Sequence, residues 1–466
     1  MQLDRTIYNA DNLLVMSRMP SDSVDLIYLD PPFNTGKQWE NPLKETGKKV
    51  SFKDTWTLAD IHEDDHEILQ VRFPEAAAVI ETLGYVNGGS WQAYLTYMGV
   101  RLVQMHRLLK PTGSIYYHCD PVMSHGVKLM MDAIFGKDNF RNEIVWNYRR
   151  MPAKQAQFQS MHDIILFYSK GADKHYFDAP RGELTASSVK AIESACKRGY
   201  NVNKKKKMAT VWDWDKFNAA VKAGILPKGL NATEAKNENR PYLPAVWDMP
   251  ILSPTAKERV GHPTEKPIAL LSRIIGASSR PGDLVLDPFC GCGVTAAASE
   301  LFFDERRRWV GIDVATDASD VLRRKLNKCA SHLFGDIGIP KVRTLKVSDL
   351  PDLPPIPKRK AVMEILHKGQ GGKCRCCEKP LTGQHPEIDH LRPKAKGGDN
   401  HLSNLHLLCR ECHKKKGTKT MTDTRRRVIA ENAAASMEKW RQESAAALAK
   451  EKTKAIAKAE KQKRKI

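Results

Sequence analysis

Asp287-Pro288-Phe289-Cys290-Gly291-Cys292-Gly293-Val294-Thr295 is the stretch on which the fold of this chain turns. It follows the apolar run Leu284-Val285-Leu286, which has strand composition and begins after the turn pair Pro281-Gly282. It leads into Ala296-Ala297-Ala298-Ser299-Glu300-Leu301, which has helix composition. A strand, a glycine-rich turn and a helix let backbone approach a small molecule, because glycine carries no Cβ and tolerates positive φ. Taken alone, the pattern equally describes a tight strand-to-helix turn with no ligand. A second stretch shifts that balance: Asp30-Pro31-Pro32-Phe33 closes the strand-like run Val24-Asp25-Leu26-Ile27-Tyr28-Leu29. An acidic-Pro-Pro-aromatic sequence at a strand end is rare by chance.

Together these stretches resemble the amino-methylating DNA methyltransferases that use S-adenosylmethionine. In that family an acidic-Pro-Pro-aromatic tetrapeptide is the catalytic motif, and a Phe-x-Gly-x-Gly motif, here Phe289 to Gly293, holds the cofactor. The catalytic motif comes first in this chain, which is similar to the permuted order of the family's β group. A third match, His262-Pro263-Thr264-Glu265-Lys266-Pro267, precedes the cofactor strand, where that group carries a His-Pro-x-x-Lys-Pro element. The resemblance covers residues 1–335 and implies a Rossmann-like α/β sheet with helices on both faces.

Composition sets independent bounds. A chain of 466 residues exceeds one ordinary domain. Its net charge of +21 fits a polyanionic partner, the plain alternative being a soluble protein with a basic surface. No run approaches the roughly 18–20 apolar residues that span a bilayer. Met1-Gln2-Leu3-Asp4-Arg5 lacks the apolar segment of a signal peptide, so a cytoplasmic location and no membrane partner are expected. The cysteines are sparse until Cys374, Cys376, Cys377, Cys409 and Cys412, a clustering that in a cytoplasmic chain favours metal over disulfides.

Along the chain, Arg5-Thr6-Ile7-Tyr8 reads as a strand, followed by a short amphipathic helix through Leu13, Leu14 and Met16. Asp11 lies between them, either as a helix N-cap or, by resemblance, near the adenine of the cofactor. Residues 34–90 are polar with scattered glycine and proline and predict a long mobile loop beside the site. Trp91 to Leu109 has helical apolar spacing, Ser114 to His118 reads as a strand, and a helix runs through Val127, Met130, Met131 and Ile134. Ile144-Val145-Trp146 and Ile164 to Tyr168 add further strands, and such alternation implies a largely parallel sheet. Residues 171–250, with Lys204 to Lys207, Trp212 and Trp214, resemble the family's target-recognition region. Trp309-Val310-Gly311-Ile312-Asp313 is a buried strand ending in an acid, placed as the acid that accepts ribose hydroxyls in nucleotide-binding sheets. A helix from about Ala318 to Phe334 closes the domain.

The chemistry of the first motif follows from the substrate it implies. The lone pair of an exocyclic amino group is delocalised into the base, and acceptors for its two hydrogens would draw the nitrogen towards tetrahedral geometry. Asp30 offers a carboxylate and Pro31 a backbone carbonyl, in a segment stiffened by Pro31 and Pro32. Phe33 offers a flat face to a base rotated out of the duplex. Carbon-5 methylation of cytosine needs a cysteine nucleophile, which the family that performs it carries in a Pro-Cys dipeptide; this chain contains no Pro-Cys. By family usage an Asp at the first motif position accompanies N6 of adenine, and Ser accompanies N4 of cytosine. The resemblance further assigns the cofactor to Asp287, Phe289, Gly291, Gly293 and Thr295, with Asp313 on the ribose and Thr264 and Lys266 at the carboxylate end. Cys290 and Cys292 read as small fillers.

Downstream, Cys374-x-x-Cys377 and Cys409-x-x-Cys412 form two thiolate knuckles, enough for a closed tetrahedral zinc site, with Cys376 as a rival ligand. Asp389-His390, Asn404 and His413 resemble the His-Asn-His (HNH) endonuclease motif, a β-hairpin and helix around one divalent ion. That resemblance implies that His390 activates water, Asn404 orients His390, and Asp389 and His413 bind Mg2+ or Mn2+. Gly397-Gly398-Asp399-Asn400 supplies the turn between hairpin and helix.

The expected organisation is a methyltransferase domain over 1–337, a proline-rich linker over 338–360, a zinc-containing nuclease-like domain over 361–420 and a basic helical tail over 421–466. The expected function is N6-adenine methylation of duplex DNA with a fused nuclease, as in restriction and modification. The rivals are a zinc module that only grips DNA, and methylation of RNA. A homodimer stays open.

Overall fold

The computed structural model describes residues 3–42, 49–61, 63–151, 156–172, 174–180, 242–262, 264–302, 306–315, 317–329, 341–350, 359–383, 385–391, 400 and 404–417. The target-recognition stretch within 181–241, the prolines of 351–358, the turn residues 397–399 and the basic tail lie outside them.

The strands are β1 (Thr6–Asn9), β2 (Val24–Leu29), β3 (Lys37–Pro42), β4 (Lys49–Asp54), β5 (Leu109–Cys119), β6 (Phe140–Asn147), β7 (His162–Ser169), β8 (Val246–Asp248), β9 (Leu284–Asp287), β10 (Arg308–Asp313), β11 (Arg343–Leu345), β12 (Glu387–His390) and β13 (Leu405–Leu408). The helices are α1 (Asn12–Arg18), α2 (Glu63–Arg72), α3 (Pro74–Asn87), α4 (Gly89–Leu108), α5 (Pro121–Phe135), α6 (Ile268–Ser278), α7 (Val294–Glu300), α8 (Ala318–Cys329), α9 (Arg359–Gly369) and α10 (Arg410–Lys416).

The main sheet has the order β11-β1-β10-β9-β2-β5-β7-β6-β8. It is parallel from β11 to β5, with β7 inserted antiparallel between β5 and β6. Strand side chains alternate between faces, and the apolar residues divide accordingly. Ile27, Leu29, Ile115 and Tyr117 join one core with Tyr94, Leu95, Met98 and Leu102 of α4. Leu26, Tyr28 and Tyr116 join the other with Leu270, Leu271, Ile274 and Ile275 of α6. Two-sided burial explains why the parallel strands read as unbroken apolar runs.

Two expectations change. Residues 34–90 do not form a continuous loop: they contain the β3–β4 hairpin and helices α2 and α3. Helix α3 buries Ala76, Ala77, Ile80 and Gly84, a face of mostly small residues whose apolar signal is weak in sequence. The stretch 338–360 is not wholly a linker, because Arg343–Leu345 pairs with β1 as the edge strand and α9 begins at Arg359.

The small C-terminal unit has its own core, in which Val362, Leu366, Leu391, Leu405 and Leu407 surround the buried cysteines. It contacts the larger domain through α2: Ile68 packs on that core, Arg72 donates to the Leu405 carbonyl, and Arg375 donates to the Gln70 carbonyl.

Candidate functional site

The carboxyl ends of β1, β10, β9 and β2 lie side by side, the position at which open α/β sheets bind ligands. A cavity of about 460 Å3 opens there, within the size range of small-molecule sites. Asp11, Asp30, Pro31, Pro32, Phe33, Thr264, Lys266, Phe289, Gly291 and Asp313 all line it. The motifs singled out in the sequence therefore converge on one space, with three exceptions among the residues assigned to the cofactor.

The exceptions have clear reasons. Asp287 and Thr295 face inward and hold each other, Thr295 Oγ1 donating to Asp287 Oδ2 at 2.5 Å. Asp287 Oδ1 accepts the Phe289 N–H at 3.0 Å, and both residues border a smaller neighbouring cavity that also touches Asp30 and Lys266. Burial pushes Asp287 up to about 7 despite those two hydrogen bonds. Gly293 lines neither cavity. Its φ is +80°, and a Cβ there would come within 2.5 Å of Leu322 Cγ, so this glycine serves the packing of α7 on α8.

At Gly291 the turn is open: φ is +46°, and the nearest atoms to an added Cβ would be those of the His262 ring, at 3.6 Å. Gly291 N–H donates to Asp313 Oδ2 at 2.8 Å, and Ala315 N–H donates to Asp313 Oδ1 at 2.8 Å. Asp313 is thus a brace for the glycine turn as well as a wall of the cavity, and burial raises its pKa against those two bonds. Asp11 is both the N-cap of α1, accepting from Leu13 and Leu14 N–H, and a wall of the cavity. The N-cap and the ligand-side readings of Asp11 are compatible.

Other residues were not legible as site residues. Arg101 of α4 donates to Asp11 Oδ2 and Asn12 Oδ1, while Asn12 Nδ2 donates to the Pro288 carbonyl at 2.8 Å. This chain of bonds ties the first helix to the glycine turn. Trp56 and Tyr97 pack at 4.3 Å between ring centroids and add aromatic walls. Buried Asp54 accepts from Asn34 and Thr35 N–H and so fixes the backbone directly after Phe33. Glu265 accepts from Val260 and His262 N–H and pairs with Lys325 at 3.2 Å, shaping the loop that presents Thr264 and Lys266. Each partner is far away in sequence or is a backbone group, so no spacing rule could reveal it.

Lys266 Nζ reaches Asp30 Oδ2 at 2.5 Å and stands 5.4 Å from the Phe33 ring centroid. The residue read as a contact for the cofactor's carboxylate holds the motif's own carboxylate.

In the small unit, Cys374, Cys377, Cys409 and Cys412 place their sulfurs within 4.8 Å of one another. Cys377 and Cys409 Sγ are 3.9 Å apart, close to the edge of about 3.8 Å expected for a tetrahedron with Zn–S bonds of roughly 2.3 Å. The donor set and spacing fit zinc. Cys376 is buried in the adjacent core and stands outside this set.

Strands β12 and β13 form an antiparallel hairpin in which Asp389 faces His406. Asp389 Oδ2 is 3.2 Å from Lys416 Nζ and 3.8 Å from His406 Nε2, ion-pair distances without hydrogen-bond alignment. Burial works against the Asp389 charge, but His406, Lys416 and the His390 N–H outweigh it and hold the carboxyl at about 2. His390 Nε2 lies 3.1 Å from Asn400 Oδ1. Asn404 is buried at the start of the second strand, where its carbonyl accepts the Leu391 N–H. His413 is half-buried on α10, one turn before Lys416 and on the same flank of the helix. No local spacing in the sequence marks the buried pair His406 and Lys416.

The family matches agree with this layout. Residues 24–323 match the DNA methylase family, and residues 374–429 match the HNH endonuclease family. The chain is 27% identical over 349 residues to the DNA adenine methyltransferase YhdJ of Escherichia coli (strain K12), covering 74% of this chain and 90% of that protein. It is 27% identical over 358 residues to the type II methyltransferase M.EcaI of Enterobacter cloacae, covering 68% of each. Among solved structures, the M1.HpyAVI–SAM complex aligns at 17% identity over 69% of this chain and 98% of that one, with a TM-score of 0.36. The PvuII DNA methyltransferase, described as cytosine-N4-specific, aligns at 14% identity over 72% and 96%, also with a TM-score of 0.36. No described helix is long and apolar enough to cross a membrane.

Proposed function

We propose, from the premise that this chain belongs to the DNA methylase family, that it methylates N6 of adenine in duplex DNA from S-adenosylmethionine and carries an HNH nuclease on the same polypeptide. The observation that carries the first half is the shared cavity: the Asp30 carboxylate and the Gly291 turn wall the same space, with Phe33 beside them.

S-adenosylmethionine would supply a methyl group on an electron-poor sulfonium. The residues suited to hold it are Phe289 and Gly291 on the turn, Asp313 and Asp11 at the neighbouring strand ends, and Thr264 across the cavity. The chain's own part is positional. Asp30 and the Pro31 carbonyl accept the amino hydrogens of the base, which leaves the nitrogen lone pair available to the methyl carbon. Phe33 stacks on the everted ring, and the cavity walls keep water from the reacting atoms. The Asp at position 30, rather than Ser, supports adenine over cytosine.

In the small unit, a divalent ion such as Mg2+ or Mn2+ would stabilise charge on a phosphate. Asp389 and His413 are suited to hold it, with His390 activating water and Asn404 orienting His390. The rival reading is a module that grips DNA without cutting.

Sequencing modified bases in DNA from a host expressing the full chain tests the first half and yields base, position and recognition sequence at once. Absence of any new methylated base sinks it. Incubating the purified chain with Mg2+ or Mn2+ and both modified and unmodified DNA tests the second. Cleavage by the wild type that His390→Ala abolishes supports a nuclease; DNA binding without cleavage in either state supports the gripping module.

A further inference from the structure

His118, at the end of β5, touches the catalytic tetrapeptide at both ends and is absent from every motif considered above. It is fully buried. Its ring stacks on Phe33 with centroids 5.8 Å apart and planes 30° apart, and its Nδ1 lies 3.9 Å from Asp30 Oδ1. Trp146 meets it edge-on at 5.6 Å and closes the far side.

The hydrogen bonds around the ring select its orientation. Nε2 is 3.1 Å from Asp163 Oδ2, and Asp163 Oδ1 accepts from the Tyr148 hydroxyl at 2.9 Å. The Asp163 carboxylate is the acceptor at Nε2, as it is for the Tyr148 hydroxyl. On the other side, Nδ1 is 2.8 Å from the Tyr28 hydroxyl. With Nε2 donating to Asp163, Nδ1 is left as an acceptor, and the Tyr28 hydroxyl is placed to donate to it. An acceptor at Nε2 and a donor at Nδ1 suit the tautomer that carries its hydrogen on Nε2.

The two oxygens of Asp30 then differ. Oδ2 is held by Lys266, whereas Oδ1 is buried without a hydrogen-bond partner. With the Nδ1 lone pair occupied by Tyr28, His118 makes no claim on Oδ1. We infer that His118, oriented by Asp163 and Tyr28, is a positioning residue for methyl transfer: it fixes the Phe33 ring and, packed beside Asp30 Oδ1, sets the angle at which the Asp30 carboxylate meets the amino group of the base. This inference rests on the methyl-transfer reading. It also ties the first residue after β6, Tyr148, to the start of β7 through Asp163.

The test uses the full-length chain, labelled S-adenosylmethionine and an oligonucleotide carrying the methylated sequence found in an expressing host, without added divalent metal. Three variants are compared: His118→Ala, His118→Gln, whose amide still reaches Asp163, and Asp163→Asn, which reverses the ring's tautomer preference. His118→Ala is expected to slow single-turnover transfer about 100-fold, the scale set by small misplacements of reacting groups. Asp163→Asn is expected to slow it at least ~10-fold, with His118→Gln between the wild type and His118→Ala. Cofactor and DNA dissociation constants should stay within about threefold of wild type, well under the tenfold that 1.4 kcal/mol represents. Unchanged transfer rates in Asp163→Asn and His118→Gln overturn the inference, as does a rate loss matched by an equal loss of cofactor affinity and thermal stability in all three. A wild-type chain that transfers no methyl group to any DNA overturns the underlying reading instead.

Discussion

Lys266 Nζ lies 2.5 Å from Asp30 Oδ2, joining two motifs 236 positions apart in the chain. Both side chains are largely shielded, at 10% and 18% exposed, so the pair is held in a medium where a lost partner is felt strongly. A lysine devoted to the cofactor's carboxylate would act mainly on cofactor affinity, whereas one devoted to Asp30 would act mainly on the transfer step. Lys266→Ala is expected to slow single-turnover methylation by about 100-fold while cofactor affinity falls less than about tenfold. Calorimetric titration with S-adenosylmethionine beside quenched-flow transfer separates the two; a variant that loses only affinity returns Lys266 to the cofactor.

The two glycines of the turn should tolerate a methyl group differently. At Gly293 a Cβ would meet Leu322 Cγ at 2.5 Å and would also force an L-residue to φ +80°. At Gly291 the nearest atoms are the His262 ring at 3.6 Å, leaving only the cost of a left-handed backbone. Gly293→Ala is expected to destabilise the fold by about 2–4 kcal/mol, the sum of overpacking and backbone strain, against about 1–2 kcal/mol for Gly291→Ala. Denaturant midpoints of the two variants give the comparison directly.

The part of the site that was legible in sequence is the part made of local patterns. Two-sided apolar strands, the glycine turn and the Asp-Pro-Pro-Phe segment each declare themselves within about ten residues, and the sheet topology brings their ends together. His118, Asp163, Asn12, Arg101 and Glu265 work through partners far along the chain or through backbone amides, and a lone polar residue at a strand end looks the same whether or not it has such a partner. Helix α3 escaped for another reason. Its packing face is built largely from alanines and a glycine, which bury well but carry little hydrophobic contrast.

Asp287 gives the fold a pH dependence with a definite sign. Its carboxyl rises from the ordinary 3.8 to about 7, chiefly through burial. The folded chain therefore binds a proton that the unfolded chain has released between those values, and folding is favoured at the acid side of the interval. That advantage is fully present below about pH 4 and is gone above about pH 7. Asp287→Asn keeps an acceptor for the Phe289 N–H and removes the titration. The variant's stability relative to wild type is expected to rise from pH 4 to pH 8 by a few kcal/mol, since each pKa unit is worth about 1.4 kcal/mol. Paired urea titrations across that range measure it; a difference independent of pH rules out Asp287 as the titrating group.

The four clustered sulfurs lead to the last prediction. A unit whose apolar core is little more than Val362, Leu366, Leu381, Leu391 and the leucines of β13 is too small to fold securely by burial alone, so metal binding should supply much of its stability. Mass spectrometry of the native chain should find one zinc. Cys409→Ser or a strong chelator should release it and open residues 359–417 to proteolysis, while S-adenosylmethionine still binds to the larger domain, whose cavity shares no residue with the cluster. Cys376→Ser should keep the zinc, because Cys376 packs beside the cluster and supplies none of the four sulfurs. Loss of the metal in Cys376→Ser, with retention in Cys409→Ser, would exchange the roles of these two cysteines.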